Sequence, residues 1–335
     1  MADPSDLHLR MYLTIGVVFA IAFAIIYMVM VYLGFGIGPI IAIALVFFLL
    51  QWYAGPMILQ WTSHMRYIGA DEYPKLHTLV EELAKGAGVK VPRIAIVPRQ
   101  DPNAFVFGRT VGTSTLAVHE GLLGMVNDDE LRAVLAHEIG HLKHSDVVAM
   151  TLISFLPLLV YMIAQNLMWG GRGSNKNNGG ALVLIGIGAF VAYFFLQFVT
   201  LMLSKMRETY ADDYSAHYTG RPEDLATSLL KITGNNYTSG SQSAAAPTAA
   251  RAFCIVDPIS SNKDIKQIAE HMDEIKALLP GIDINRFIAD AQKSGKGGAR
   301  IFGAVSTHPS TYQRILYLAK LKKNMTWNSV GKKPK

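Results

Sequence analysis

Two histidines and a glutamate set the chemistry this chain can do. His137, Glu138 and His141 stand in the order H-E-x-x-H within NDDELRAVLAHEIGHLKHSD, residues 127–146. Asn127 or Asp128 can cap a helix here, and the acidic run Asp128, Asp129 and Glu130 suits the positive end of its dipole. Leu131, Val134 and Leu135 give that helix an apolar face. On a helix, positions four apart share a face, so both imidazoles reach one metal ion while Glu138 points at the water the metal binds. The bland alternative is an amphipathic helix that happens to carry two histidines.

A zinc ion that does chemistry needs a third protein ligand and one open position. The best candidate lies in SKMRETYADDYSAH, where Glu208 is followed four residues later by Asp212, one helical turn along the same face. Glu208 would bind zinc. Asp212 would accept a hydrogen bond from the far ring nitrogen of a ligand histidine, which fixes its tautomer and orientation. Alone, this run reads as a charged helix surface. Paired with H-E-x-x-H, it reads as the remainder of the site.

With these motifs the chain resembles the HtpX-like integral-membrane zinc metalloproteases, relatives of the CAAX prenyl endopeptidases. The matching pieces follow one another: two N-terminal apolar segments, PNAFVFG (Pro102 to Gly108), LAVHEGLL (Leu116 to Leu123), the H-E-x-x-H helix, two further apolar segments, RETYAD (Arg207 to Asp212), and STHP followed by Arg314. One departure is that the aromatic residue expected directly after the ligand glutamate sits one place later, at Tyr210, with Thr209 between. The resemblance implies a small gluzincin-type metalloprotease domain with one Zn2+ per chain and substrates that are membrane proteins or misfolded chains, in a quality-control role. The close alternative is processing of a prenylated C-terminus. The resemblance also implies that Asn103, Ala104 and Phe105 belong to the strand that holds an extended peptide, although an ordinary sheet strand is the plain reading. His308 would fold back over the zinc and donate a hydrogen bond to the oxyanion. Arg314 would orient that loop or hold the substrate's backbone.

These groups need elements to position them. The composition is 51% hydrophobic and 17% charged with a net charge of +6, and the apolar excess is concentrated in runs. Met11 to Leu33 carries no charge and is long enough to cross a bilayer. Gly34, Gly36, Gly38 and Pro39 are expected to form a tight turn, after which Ile40 to Tyr53 makes a second span, with Trp52, Tyr53 and Trp61 as interfacial anchors. A cleaved signal peptide is disfavoured, because the first run is too long and a second follows at once. Val147 to Trp169, with a kink expected at Pro157, and Ala181 to Leu203 supply spans three and four. The fourth has no breaker before Arg207, so its helix should run on and carry Glu208 and Asp212 into the domain.

Between the spans the sequence becomes that of a soluble domain. Leu76, Leu79, Val80 and Leu83 mark a helix ended by Gly86 and Gly88, and β-like runs follow at Ile94 to Val97, Ala104 to Phe107 and Thr115 to Val118. Further on, Arg221-Pro222-Glu223 starts a helix, Asn235 to Ala250 is a Ser- and Ala-rich loop, Ile265 to Leu279 is one amphipathic helix, and SGKGG near Ser294 is a loop. The one cysteine, Cys254, rules out an internal disulfide and fits a reducing compartment. Lys320, Lys322, Lys323, Lys332, Lys333 and Lys335 form a basic tail suited to anionic headgroups, or simply to water, rather than to nucleic acid.

The class expected is therefore α+β and mainly helical: residues 1–62 and 147–203 as two membrane hairpins, 63–146 and 204–335 as the two parts of a catalytic domain. Lys and Arg crowd the catalytic stretches and spare the first outer turn, which places that domain in the cytoplasm, although Arg172 and Lys176 argue mildly the other way. The function expected is a membrane-embedded zinc endopeptidase. A four-span scaffold or transporter with a structural zinc is the rival, disfavoured because such a site wants four protein ligands and no general base.

Overall fold

A computed structural model describes residues 37–170, 179–238, 254–256, 260–279 and 308–331. The expected first span at 11–33, the loop around Arg172 and Lys176, the Ser/Ala-rich stretch from 239 to 250, the loop at Ser294, and Lys332, Lys333 and Lys335 lie outside the described residues. The elements in order are α1 (Ile37–Thr62), β1 (Arg66–Tyr67), α2 (Pro74–Ala87), β2 (Arg93–Val97), β3 (Ala104–Phe107), β4 (Thr115–His119), α3 (Glu120–Leu123), α4 (Asp128–Lys143), α5 (Asp146–Gly170), α6 (Gly179–Thr219), α7 (Pro222–Thr238), α8 (Ser261–Glu270), α9 (Met272–Leu278) and α10 (Thr311–Gly331). Helices dominate and the sheet is small, which makes the class α+β.

Four local expectations need correcting. Gly38 and Pro39 do not sit in a turn but inside the first turn of α1, where the missing proline N–H removes no hydrogen bond. That helix also continues past Tyr53 to Thr62. Gly86 lies within α2, and only Gly88 ends it, at φ 71°, with its N–H donating to the Lys85 carbonyl and the Val89 N–H to that of Ala84. The amphipathic run from Ile265 to Leu279 is two helices, broken at His271.

By contact the chain divides into two compact units, residues 1–58 with 148–204, and 59–147 with 205–335. In the first unit, Leu156, Val160 and Ala164 of α5 pack on Ala189 and Leu196 of α6, and Tyr161, Phe190 and Tyr193 cluster beside them. Large apolar side chains elsewhere on these helices are exposed, among them Leu50 and Met57 of α1 and Val191, Phe194 and Phe198 of α6. Among the described residues one helix, α6, is long and apolar enough to cross a membrane, and only 17% of its apolar window is buried. A core helix of a water-soluble domain would have most of that window covered.

The second unit is built on a four-stranded sheet of order β1-β2-β4-β3, with β2 and β4 parallel and the outer pairs antiparallel. Alternation sends Ile94, Ile96, Ala104, Val106, Leu116 and Val118 into the main core with Val134, Leu135 and Ile139 of α4. Ala95, Val97, Phe105, Phe107 and Ala117 face the opposite side, against Met65. The site helix α4 starts with a capping box: the Glu130 N–H donates to Asn127 Oδ1 at 2.9 Å, and the Asn127 N–H donates to Glu130 Oε2 at 2.9 Å. Gly140 lets α6 cross close to α4, since a Cβ there would lie 3.3 Å from the Ala211 Cα. The Ser215 hydroxyl ties the same crossing by donating to the Ala133 carbonyl at 2.7 Å.

Candidate active site

Those two helices meet where the chemistry was expected. From α4, His137 and His141 turn their rings at right angles with centroids 4.8 Å apart. From α6, Glu208 brings Oε2 to 3.6 Å from His137 Nε2 and Oε1 to 3.6 Å from His141 Nε2. One ligand atom from each residue lies within 4.8 Å of the others. Such a set, two imidazole nitrogens and one carboxylate oxygen, is that of a catalytic zinc with an open position. Glu208 Oε2 is buried and accepts no hydrogen bond among the described residues, although Arg314 Nη1 stands 3.4 Å from it and leaves its charge partly compensated.

Each of the two histidines is braced from behind. His137 Nδ1 lies 3.0 Å from Asp212 Oδ1, within hydrogen-bond distance though off the line of the ring N–H. Asp212 is fully buried, and the Arg314 fork grips it twice, Nε to Oδ2 at 2.8 Å and Nη2 to Oδ1 at 2.7 Å. Burial alone would lower the pKa of His137, but the Asp212 and Glu208 carboxylates outweigh it and lift the value to about 9. On the other side, His141 Nδ1 lies 2.7 Å from Asp146 Oδ2, and Arg207 Nε stands 2.9 Å from Asp146 Oδ1.

Glu138 is 4% exposed, and burial raises its pKa against the opposing pull of His141 and His137. His308, brought from 100 positions beyond Glu208, is buried and places Nδ1 3.4 Å from Glu208 Oε1. The displaced aromatic, Tyr210, packs its ring on His144 with centroids 5.7 Å apart.

The structure shows what surrounds the expected substrate residues. Arg314 is 3% exposed: beyond Asp212, its Nη1 donates to the Ile255 carbonyl at 2.6 Å and stands 3.4 Å from Glu208 Oε2. Its guanidinium thus meets two of the protein's own carboxylates and a backbone carbonyl. Asn103, Ala104 and Phe105 do lie at the sheet's β3 edge, but their side chains are buried. Asn103 Oδ1 accepts from the Ile255 N–H at 2.9 Å, Ala104 faces the main core, and the Phe105 ring packs beside Phe107 and His119. Sequence reasoning gave no role to Asp146 or Arg207. A carboxylate five residues after a helical ligand sits on the wrong face of a continuous helix, so spacing held no signal for it.

Residues 70–322 match the model of Peptidase family M48. The chain belongs to peptidase family M48. It is similar to the Protease HtpX homolog of Methanothermobacter thermautotrophicus, with 40% identity over 228 residues, covering 68% of this chain and 85% of that protein. The Protease HtpX homolog of Thermoplasma acidophilum is 32% identical over 277 residues, 78% of this chain and 87% of that protein. Among solved structures, S. mikatae Ste24p aligns over 93% of this chain and 66% of its own, with a TM-score of 0.47 and 17% identity. As an M48 peptidase the chain is a metalloendopeptidase, and the reading as a peptide hydrolase holds.

Proposed function

We propose that this M48 peptidase is a zinc endopeptidase anchored in the cell membrane, with its catalytic unit in the cytoplasm, that hydrolyses membrane or misfolded proteins as part of quality control. The observation that carries this reading is the meeting of His137, His141 and Glu208 beside the buried carboxylate of Glu138. His137 Nε2, His141 Nε2 and a Glu208 oxygen would hold the ion. When bound, Zn2+ supplies Lewis-acid polarisation of the scissile carbonyl and a lowered pKa for water. Glu138, made more basic by burial, takes the proton of the attacking water and passes it to the leaving amine. His308 stands against Glu208, where its ring can donate to the oxygen that gains charge as the carbonyl is attacked. The substrate pairs as an extended strand with the backbone of β3, an edge of the described sheet.

Four spans near 11–33, 40–53, 147–169 and 181–203 anchor the chain. Three of them fall on α1, α5 and α6, and the exposed apolar side chains of α1 and α6 suit a lipid solvent.

The deciding experiment compares metal content and activity. Glu138→Gln should lose at least about a hundredfold in kcat on a casein-like substrate while retaining one zinc per chain. Glu208→Ala should lose the zinc itself. A Glu138→Gln protein that cleaves at the wild-type rate ends the protease mechanism. His308→Ala should lower kcat by about a hundredfold with KM and zinc content little changed, and loss of zinc would make it a ligand or a support instead.

A further inference from the structure

The mechanism just given makes no use of Asp146, although this carboxylate is 3% exposed and lies within 2.7 Å of a proposed ligand's far nitrogen. A buried carboxylate needs a partner, and Arg207, itself 5% exposed, stands 2.9 Å from the other oxygen. The approach depends on a particular break in the chain. Helix α4 ends at Lys143, Ser145 adopts a left-handed φ of 58°, and α5 begins at Asp146. That reversal returns Asp146 to a histidine it could not touch on a continuous helix. Arg207 in turn directly precedes Glu208 on α6, so the residue that pairs Asp146 is covalently next to the third ligand.

The geometry points to Asp146 as the positioning residue of His141, held in place by Arg207. The inference rests on the zinc reading of the site. With Nε2 facing the ligand cluster, His141 carries its proton on Nδ1 and donates it to Asp146, which fixes the ring plane and makes Nε2 a better donor to the metal. Opening α5 at this residue also places its negative charge at the helix's positive end, so a purely capping role is the competing account.

Serine and asparagine separate the two accounts, since both cap helices but only asparagine is long enough to reach His141. In full-length protein in detergent, zinc affinity is read by competition with a fluorescent chelator. Asp146→Ser should bind zinc about 10- to 100-fold more weakly than wild type, while Asp146→Asn keeps most of the affinity because its amide oxygen still accepts from Nδ1. Serine binding as tightly as wild type, or asparagine losing as much as serine, would overturn the assignment. Should the serine variant fail to fold, the visible bands of Co(II)-loaded Asp146→Asn must shift from wild type as the imidazole loses its anionic partner, and an unshifted spectrum overturns it equally. Failure of the wild-type chain to take up zinc would sink the zinc reading instead, a separate outcome.

Discussion

The two histidines of the H-E-x-x-H helix are braced by the same chemistry at different stiffness. Behind His137, a carboxylate on α6 is held by a two-pronged guanidinium from α10, which also grips the Ile255 carbonyl. Behind His141, the carboxylate comes from the joint between α4 and α5 and meets its guanidinium through one close contact. A fork fixes direction as well as distance, whereas a single contact leaves the pair free to swing. The first brace joins residues 102 apart in sequence and so exists only once the chain around the site has folded, while in the second the carboxylate itself is local to the end of α4 and only its Arg207 partner comes from another helix. One histidine is therefore positioned wholly by the tertiary fold and the other by a turn that the tertiary fold supports.

The heaviest test of this contrast removes the fork. Arg314→Ala leaves Asp212 buried without its partner and should destabilise the catalytic unit by about 3–5 kcal/mol. Thermal unfolding of the metal-free protein would show this, and a shift no larger than that of a surface substitution would equate the two braces.

A subtler test keeps the shape and removes the charge. A histidine whose pKa is raised to about 9 is protonated at neutral pH in the metal-free protein, so zinc must displace that proton. Apparent zinc affinity should then climb about tenfold per pH unit and level off only near pH 9, well above the ~6.5 of an ordinary histidine. In Asp212→Asn the levelling should move to lower pH, because the carboxylate that stabilises the imidazolium is gone. Chelator competition across that range checks it, and an unmoved profile would detach the raised pKa from Asp212.

The smallest effect belongs to the turn. Ser145→Gly relieves a left-handed serine but loosens the unfolded chain, so the two terms nearly cancel and stability should change by less than about 1 kcal/mol. Zinc affinity should stay as in wild type, and a marked fall would show that the serine side chain itself helps aim Asp146.

The same contrast explains what could be read in advance. Asp212 was legible because it follows Glu208 by four on a helix with no breaker, and α6 is indeed continuous from Gly179 to Thr219. The strands β2, β3 and β4 were legible from β-branched and aromatic residues between Pro and Gly, and the cap at Asn127 from residue types alone. Asp146 was not, since its contact depends on a positive φ at Ser145, a backbone state that a serine does not announce. Nor was the burial of Arg314: a basic residue after a polar loop looks solvent-facing until the fold brings a carboxylate to it from 102 residues away. The two-residue strand β1 escaped because so short a run has no periodicity to detect.

The unbroken course of α6 makes it a camshaft. Its 41 residues form a rod about 60 Å long, turning roughly 100° at every step, with apolar side chains such as Phe194 on one stretch and Glu208 on another. Deleting one residue between Glu208 and Ser215, whose hydroxyl ties the helix to α4, would swing the carboxylate through that angle and carry it off the cluster, whereas inserting seven there would restore its bearing to within about 20° while displacing it by about 10 Å along the axis. The spacing between Glu208 and Ser215 is thus fixed as strictly as any catalytic residue is fixed in kind.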